Sequence, residues 1–125
     1  MSHVTFSFGR FSPPTIGHKK LVDRVVSHAK KAGGDHYVFA SQTQDDKKNP
    51  LEHGEKVGFM RKFFPHANVS DEKSVRTPID AMKHLHGKGY KKVTMVVGSD
   101  RVQEMSNLLH RYNGKEYNFD HIEVK

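Results

Sequence analysis

Residues 4–34 read VTFSFGRFSPPTIGHKKLVDRVVSHAKKAGG, and the change of period inside this stretch decides the fold. Residues 4–8 alternate apolar with small polar side chains, the two-residue period of a strand. The alternation stops at Gly9. From Gly17 onward, Leu21, Val22, Val25, Val26, Ala29 and Ala32 recur at the spacing of one helical stripe. Lys30 and Lys31 put positive charge in the last turn, where the helix carbonyls carry partial negative charge, and Gly33-Gly34 stops the helix. Strand, loop and helix in this order make the first half of a β-α-β unit.

The same alternation continues outward. Residues 36–40 (HYVFA) read as a second strand, followed by a polar stretch, 41–50 (SQTQDDKKNP), with no apolar anchor. Such a loop is a candidate functional segment. A helix is expected over about 52–64 with Val57, Met60 and Phe64 inward, stopped by Pro65. Residues 68–70 form a candidate short strand. Thr77-Pro78-Ile79-Asp80 starts a further helix, with Thr as cap, Pro in the first turn and Asp three residues after the cap. Residues 92–97 (KVTMVV) are the strongest strand signal, a helix follows with Val102, Met105 and Leu109 aligned, and 119–124 closes the pattern as a fifth strand. Strands alternating with helices predict an α/β fold: a Rossmann-like parallel sheet of about five strands with helices on both faces, in a single domain over residues 1–125.

Composition narrows the chemistry. The 125 residues carry 21 Lys+Arg against 14 Asp+Glu, a formal charge of +7, and ten histidines. This surplus fits an anionic partner, either a nucleic acid along a basic face or a phosphate-rich small molecule in one pocket, and fits equally a simple aid to solubility. The absence of cysteine excludes a disulfide scaffold, Cys-ligated zinc, iron–sulfur clusters and a thiol nucleophile. No apolar run is long enough to span a membrane and no basic-then-apolar leader opens the chain, so a cytoplasmic protein is expected. The histidines show no metal-ligand spacing: His84 and His86 are two apart, on different faces of a helix. No metal site is expected in the protein itself. Lys19-Lys20, Lys30-Lys31 and Lys91-Lys92 read as solvated faces, since no stripe of mixed aromatic and basic residues accompanies them.

Parallel α/β sheets bind ligands beyond the C-terminal ends of their strands. Three segments occupy such ends: 9–18, 41–50 and 98–101. The first, GRFSPPTIGH, is neither a three-glycine dinucleotide fingerprint nor a Gly-Lys-Ser/Thr loop. Gly17-His18 opens the helix, so backbone N–H groups and the helix dipole point into the loop, and Thr15 and His18 can both donate to one phosphate.

Gly9-x-Phe11-x-Pro13-x-Thr15-x-Gly17-His18 resembles the signature of the nucleotidyltransferase superfamily with the HxGH motif, which includes nicotinamide-nucleotide, pantetheine-phosphate and glycerol-phosphate nucleotidylyltransferases. Thr15 stands in place of the first His. Lys47-Lys48-Asn49-Pro50-Leu51 is similar to the family's loop after the second strand, where one lysine faces the phosphates, and Glu55-Lys56 stands where the family often has Glu-Arg. Val96-Val97-Gly98-Ser99-Asp100 resembles the family's fourth strand and the Gly-x-Asp beside the nucleotide. The chain departs from the family pattern in lacking the usual Ser/Thr-x-x-Arg segment after the fifth strand; residues 70–76 (SDEKSVR) imitate it, but out of order.

The resemblance implies transfer of a nucleoside monophosphate, AMP ahead of CMP, from an NTP to a phosphorylated small-molecule acceptor with release of pyrophosphate. It implies catalytic roles for His18, Thr15 and Lys47 or Lys48. It places Gly9, Arg10, Phe11, Ser12 and Gly17 around the nucleotide, with Gly98, Ser99, Asp100 and Arg101 near the base or ribose. Mg²⁺ is expected to arrive on the triphosphate oxygens. The partners implied are the NTP and its acceptor, with neither nucleic acid nor membrane, and a homo-oligomer is compatible. The acceptor phosphate is already anionic, so such a site needs donors and cations rather than a general base. The rival reading is a binding module of the same fold that holds nucleotides or nucleic acid without turnover. Asp100 also has a purely structural alternative, as cap of the helix that follows.

Overall fold

The computed structural model describes residues 2–11, 16–42 and 53–125. The elements run β1 (His3–Gly9), α1 (Ile16–Ala32), β2 (Asp35–Ala40), α2 (His53–Phe63), β3 (Val69–Ser70), α3 (Pro78–Gly87), β4 (Lys92–Met95), a single 3-10 turn (Ser99–Arg101), α4 (Val102–Arg111) and β5 (His121–Val124). The five strands form one parallel sheet in the order β3-β2-β1-β4-β5. The chain therefore builds outward from β1 through β2 to β3, then crosses to the other side of β1 for β4 and β5.

Alternation along the strands divides the core in two. Val4 and Phe6 of β1, Phe39 of β2 and Val93 and Met95 of β4 pack with Met82 and Leu85 of α3 and Met105 and Leu109 of α4. Val38 and Ala40 of β2 point the other way, into a second cluster with Val22 of α1, Val57 and Met60 of α2, and Phe64. Adjacent β2 residues thus feed opposite cores, which is the two-faced burial expected of a parallel sheet with helices on both faces. No helix among the described residues is long and apolar enough to cross a membrane.

Local signals hold well at α3. Thr77 Oγ1 accepts from Asp80 N (3.1 Å), and Asp80 Oδ2 accepts in return from Arg76 N (3.1 Å). Thr77→Ala removes the cap and is expected to cost about 1 kcal/mol, read as a lower midpoint in chemical denaturation with an unchanged slope. Three boundaries differ from the sequence expectation. The β4 ladder ends at Met95, because after Val96 the backbone turns from β1 and Val97 N donates to the Lys125 carbonyl beyond β5 (2.9 Å). β5 starts at His121 because Phe119 is tied to the preceding turn: its N–H donates to Asn113 Oδ1 (2.9 Å) and its carbonyl accepts from Asn113 Nδ2 (3.2 Å). Asn68 stays outside β3, donating its N–H to His36 Nε2 (2.9 Å). Asp100 does not cap α4: the cap position is Arg101, with no side-chain cap bond.

Candidate functional site at the switch in strand order

The sheet changes direction between β1 and β4, and there its two halves part. Val96 N still donates to the Phe6 carbonyl (2.9 Å). Past that point the Gly9 carbonyl accepts from Ser41 N beyond β2 (2.7 Å), while Val97 N donates to the Lys125 carbonyl beyond β5 (2.9 Å). The strand ends bond away from each other and leave a cleft of about 350 Å³. Its lining includes Gly9, Arg10, Phe11 and His18 from one side and Gly98 and Arg101 from the other. This is where doubly wound sheets bind ligands. A slightly larger hollow, about 400 Å³, lies along the flank of α1 between Arg24, His28 and Lys125. The glycine-bearing strand ends do not line it, so convergence of donors, rather than volume, selects the cleft.

Three residues shape the floor. Phe11 has φ of +48°, the one non-glycine with positive φ among the described residues. That conformation costs a phenylalanine on the order of 1–3 kcal/mol. It accompanies an inward ring that is almost fully buried, packed edge-on against Phe64 (6.1 Å between centroids). A Cβ on Gly9 would stand 3.0 Å from Phe11 Cε2, so the glycine leaves room for the ring. His18, in the first turn of α1, lies over the same ring at 4.8 Å and 55°. The chain thus uses a strained phenylalanine as the seat for the imidazole.

Burial against this apolar seat pushes the His18 pKa below the usual histidine value. The ring is therefore neutral at pH 7, with one nitrogen donating and the other accepting. The first turn of α1 carries no acidic residue, so its N-terminal N–H groups face no competing carboxylate from that turn. Among the described residues, those lining the cleft include no Asp or Glu. Its charged groups among the described residues are Arg10 and Arg101, the latter partly engaged by Glu104 (3.1 Å). A set of cations, an imidazole and the N-terminal end of a helix dipole can hold a polyanion.

The cleft gathers Gly9, Arg10, Phe11, His18, Gly98 and Arg101 of the sequence candidates. Gly17, Ser99 and Asp100 are exposed and do not line it. Asp100 instead turns a carboxylate oxygen toward Gly98, 3.0 Å from where a Cβ would stand. Ser12, Thr15, Lys47 and Lys48 lie outside the described residues. The apolar walls, among them Leu21, Pro78, Val97 and Met105, were not legible as site residues, because each belongs to an ordinary helical or strand pattern.

Lys56 also escaped the sequence reading as a site residue. It is 1% exposed and donates through Nζ to the Ser41 carbonyl (2.9 Å), joining α2 to the end of β2. Burial, and secondarily Arg10, push its pKa down. No carboxylate among the described residues lies within ion-pair distance of it. The available signal was helical spacing, since Lys56 is one turn before the inward Met60.

Four further histidines, His3, His28, His36 and His84, are held below the ordinary value, with burial the largest cause in each, as for His18. A folded-state pKa below the unfolded one means that the native state binds fewer protons. The resulting stability is full above about pH 6.5 and is lost as pH falls through the lowered values. The melting temperature is therefore expected to drop by roughly 5 °C or more between pH 7.5 and pH 5, measured by calorimetry at constant ionic strength. A flat profile would contradict this.

No model of a known protein family matches the chain, and no curated protein resembles it closely enough to count as a relative.

Proposed function

We propose that the protein is a nucleotidyltransferase of the HxGH type, which moves a nucleoside monophosphate, AMP ahead of CMP, from an NTP to a phosphorylated small-molecule acceptor. The observation that carries this reading is His18, seated on Phe11 at the mouth of α1 and lining, together with Arg10 and Arg101, the cleft where β1 and β4 part. An acceptor phosphate oxygen attacks the α-phosphorus, the bond from that phosphorus to the bridging oxygen breaks, and pyrophosphate leaves with the electron pair. His18 donates an N–H to a phosphate oxygen as charge builds there. Arg10 and Arg101 lower the potential for the triphosphate, which brings Mg²⁺ as part of the substrate. Thr15 and one of Lys47 and Lys48 add donors by resemblance. The cytoplasm, with its NTP pool, is the compartment this reading implies.

The test is pyrophosphate release with each of ATP and CTP, Mg²⁺, and a panel of nucleotide, pantetheine and polyol phosphates. Release with one NTP and one acceptor class supports the reading. NTP binding with no release for any acceptor would leave the non-catalytic binding module in its place.

A further inference from the structure

The outer face of α2 is left uncovered by the described residues. Phe59 and Phe63 are 54% and 49% exposed, the large apolar side chains left exposed among the described residues. Large apolar groups scattered singly are ordinary on a surface, but these two stand one turn apart on one helix. Beside them runs a shallow depression bounded by Glu55, Gly58, Phe59 and Lys62. Those four positions follow the i, i+3, i+4, i+7 spacing of a helix-packing stripe. Gly58 is its low point: a Cβ built there would meet nothing within 4 Å.

The charges on this stripe are unmatched among the described residues. Neither Glu55 nor Lys62 makes an ion pair among the described residues. Seven residues apart on a helix, they are separated by about 10.5 Å along the axis, too far to pair with each other. A second α2 laid antiparallel, with a two-fold axis between Gly58 and Phe59, resolves both features together. Glu55 then faces Lys62 of the second copy, and Lys62 faces its Glu55. Phe59 fits over Gly58 of the second copy, where the missing side chain admits a ring, and Phe63 extends the apolar strip at each end. The patch is complementary to itself, as a two-fold interface requires.

We propose that the protein forms a two-fold dimer through the outer face of α2, with Phe59 seated on Gly58 of the second copy and Glu55 paired with its Lys62. This interface is separate from the cleft and independent of what the cleft does.

Sedimentation equilibrium of the intact chain tests it. Wild type is expected to dimerise in the micromolar range. Because each substitution acts twice across the axis, Glu55→Lys and Lys62→Glu alone are each expected to raise the dimer dissociation constant at least about tenfold. The charge-swapped double variant is expected to return to within about threefold of wild type, and Phe59→Glu to abolish the dimer. Thermal melts confirm that each variant is folded. A monomeric wild type at about 100 µM, single charge reversals that leave dimerisation unchanged, or weakened singles that the double swap fails to restore would each overturn the proposal.

Discussion

Replacing His18 with alanine is expected to lower pyrophosphate release about 10²- to 10³-fold while leaving the fold intact. The size follows from removing one preorganised donor from a site where charge develops on phosphate oxygens. The fold should survive because His18 is half-buried at the mouth of a helix and packs on the face of Phe11. The loss should fall on kcat more than on KM, since an interaction made chiefly in the transition state affects turnover. His18→Asn, which keeps a donor, should recover part of the rate. An unchanged rate in His18→Ala would remove His18 from the mechanism, and with it the main support for the proposed reaction. Gly9→Ala provides a related control. It forces the Phe11 ring, 3.0 Å from the new Cβ, to give way, and so should disturb the imidazole without touching it.

Gly34→Ala is expected to destabilise the protein by about 3 kcal/mol, lowering the melting temperature by roughly 10 °C. A Cβ at this position would stand 2.3 Å from the His3 carbonyl oxygen and 2.9 Å from its carbon. These atoms belong to the backbone of β1, the central strand, which is held on both sides by β2 and β4. They cannot rotate away as a side chain would. Relief requires β1 and β2 to separate at their N-terminal ends, where His3 Nε2 also contacts Thr94 Oγ1 (3.1 Å). Gly87→Ala is the matched control. It sits at the end of α3 with nothing within 4 Å of a built Cβ, and should be neutral or slightly stabilising. If Gly34→Ala melts with wild type, the close approach of β1 to the start of β2 is wrong.

Much of this architecture could be read from local pattern. The stripe from Leu21 to Ala29 foretold α1, and Thr77 with Asp80 foretold the start of α3 and its Thr cap. Gly9 and Gly98, read from the sequence as strand-end glycines, both line the cleft. Where expectation and structure part, the cause is a longer-range contact. Phe119 reads as strand by its apolar side chain, but its backbone is taken by Asn113. Ser99 and Asp100 sit next to a cleft residue in sequence, yet the 3-10 turn leaves them exposed while Gly98 and Arg101 line the cleft.

Local pattern is enough to say which segments are strands and helices, which ends carry glycine and cationic donors, and that no thiol chemistry is available. These are properties of composition and of periods two and 3.6, which a short window records. The strand order β3-β2-β1-β4-β5, and with it the position of the cleft between β1 and β4, comes from long-range packing. Crossover direction depends on how whole helices cover the two faces of the sheet, and no local window contains that. The same holds for the strained Phe11 under His18, the buried ammonium of Lys56, and the bare face of α2. Each is set by what packs against the residue rather than by its neighbours in the chain.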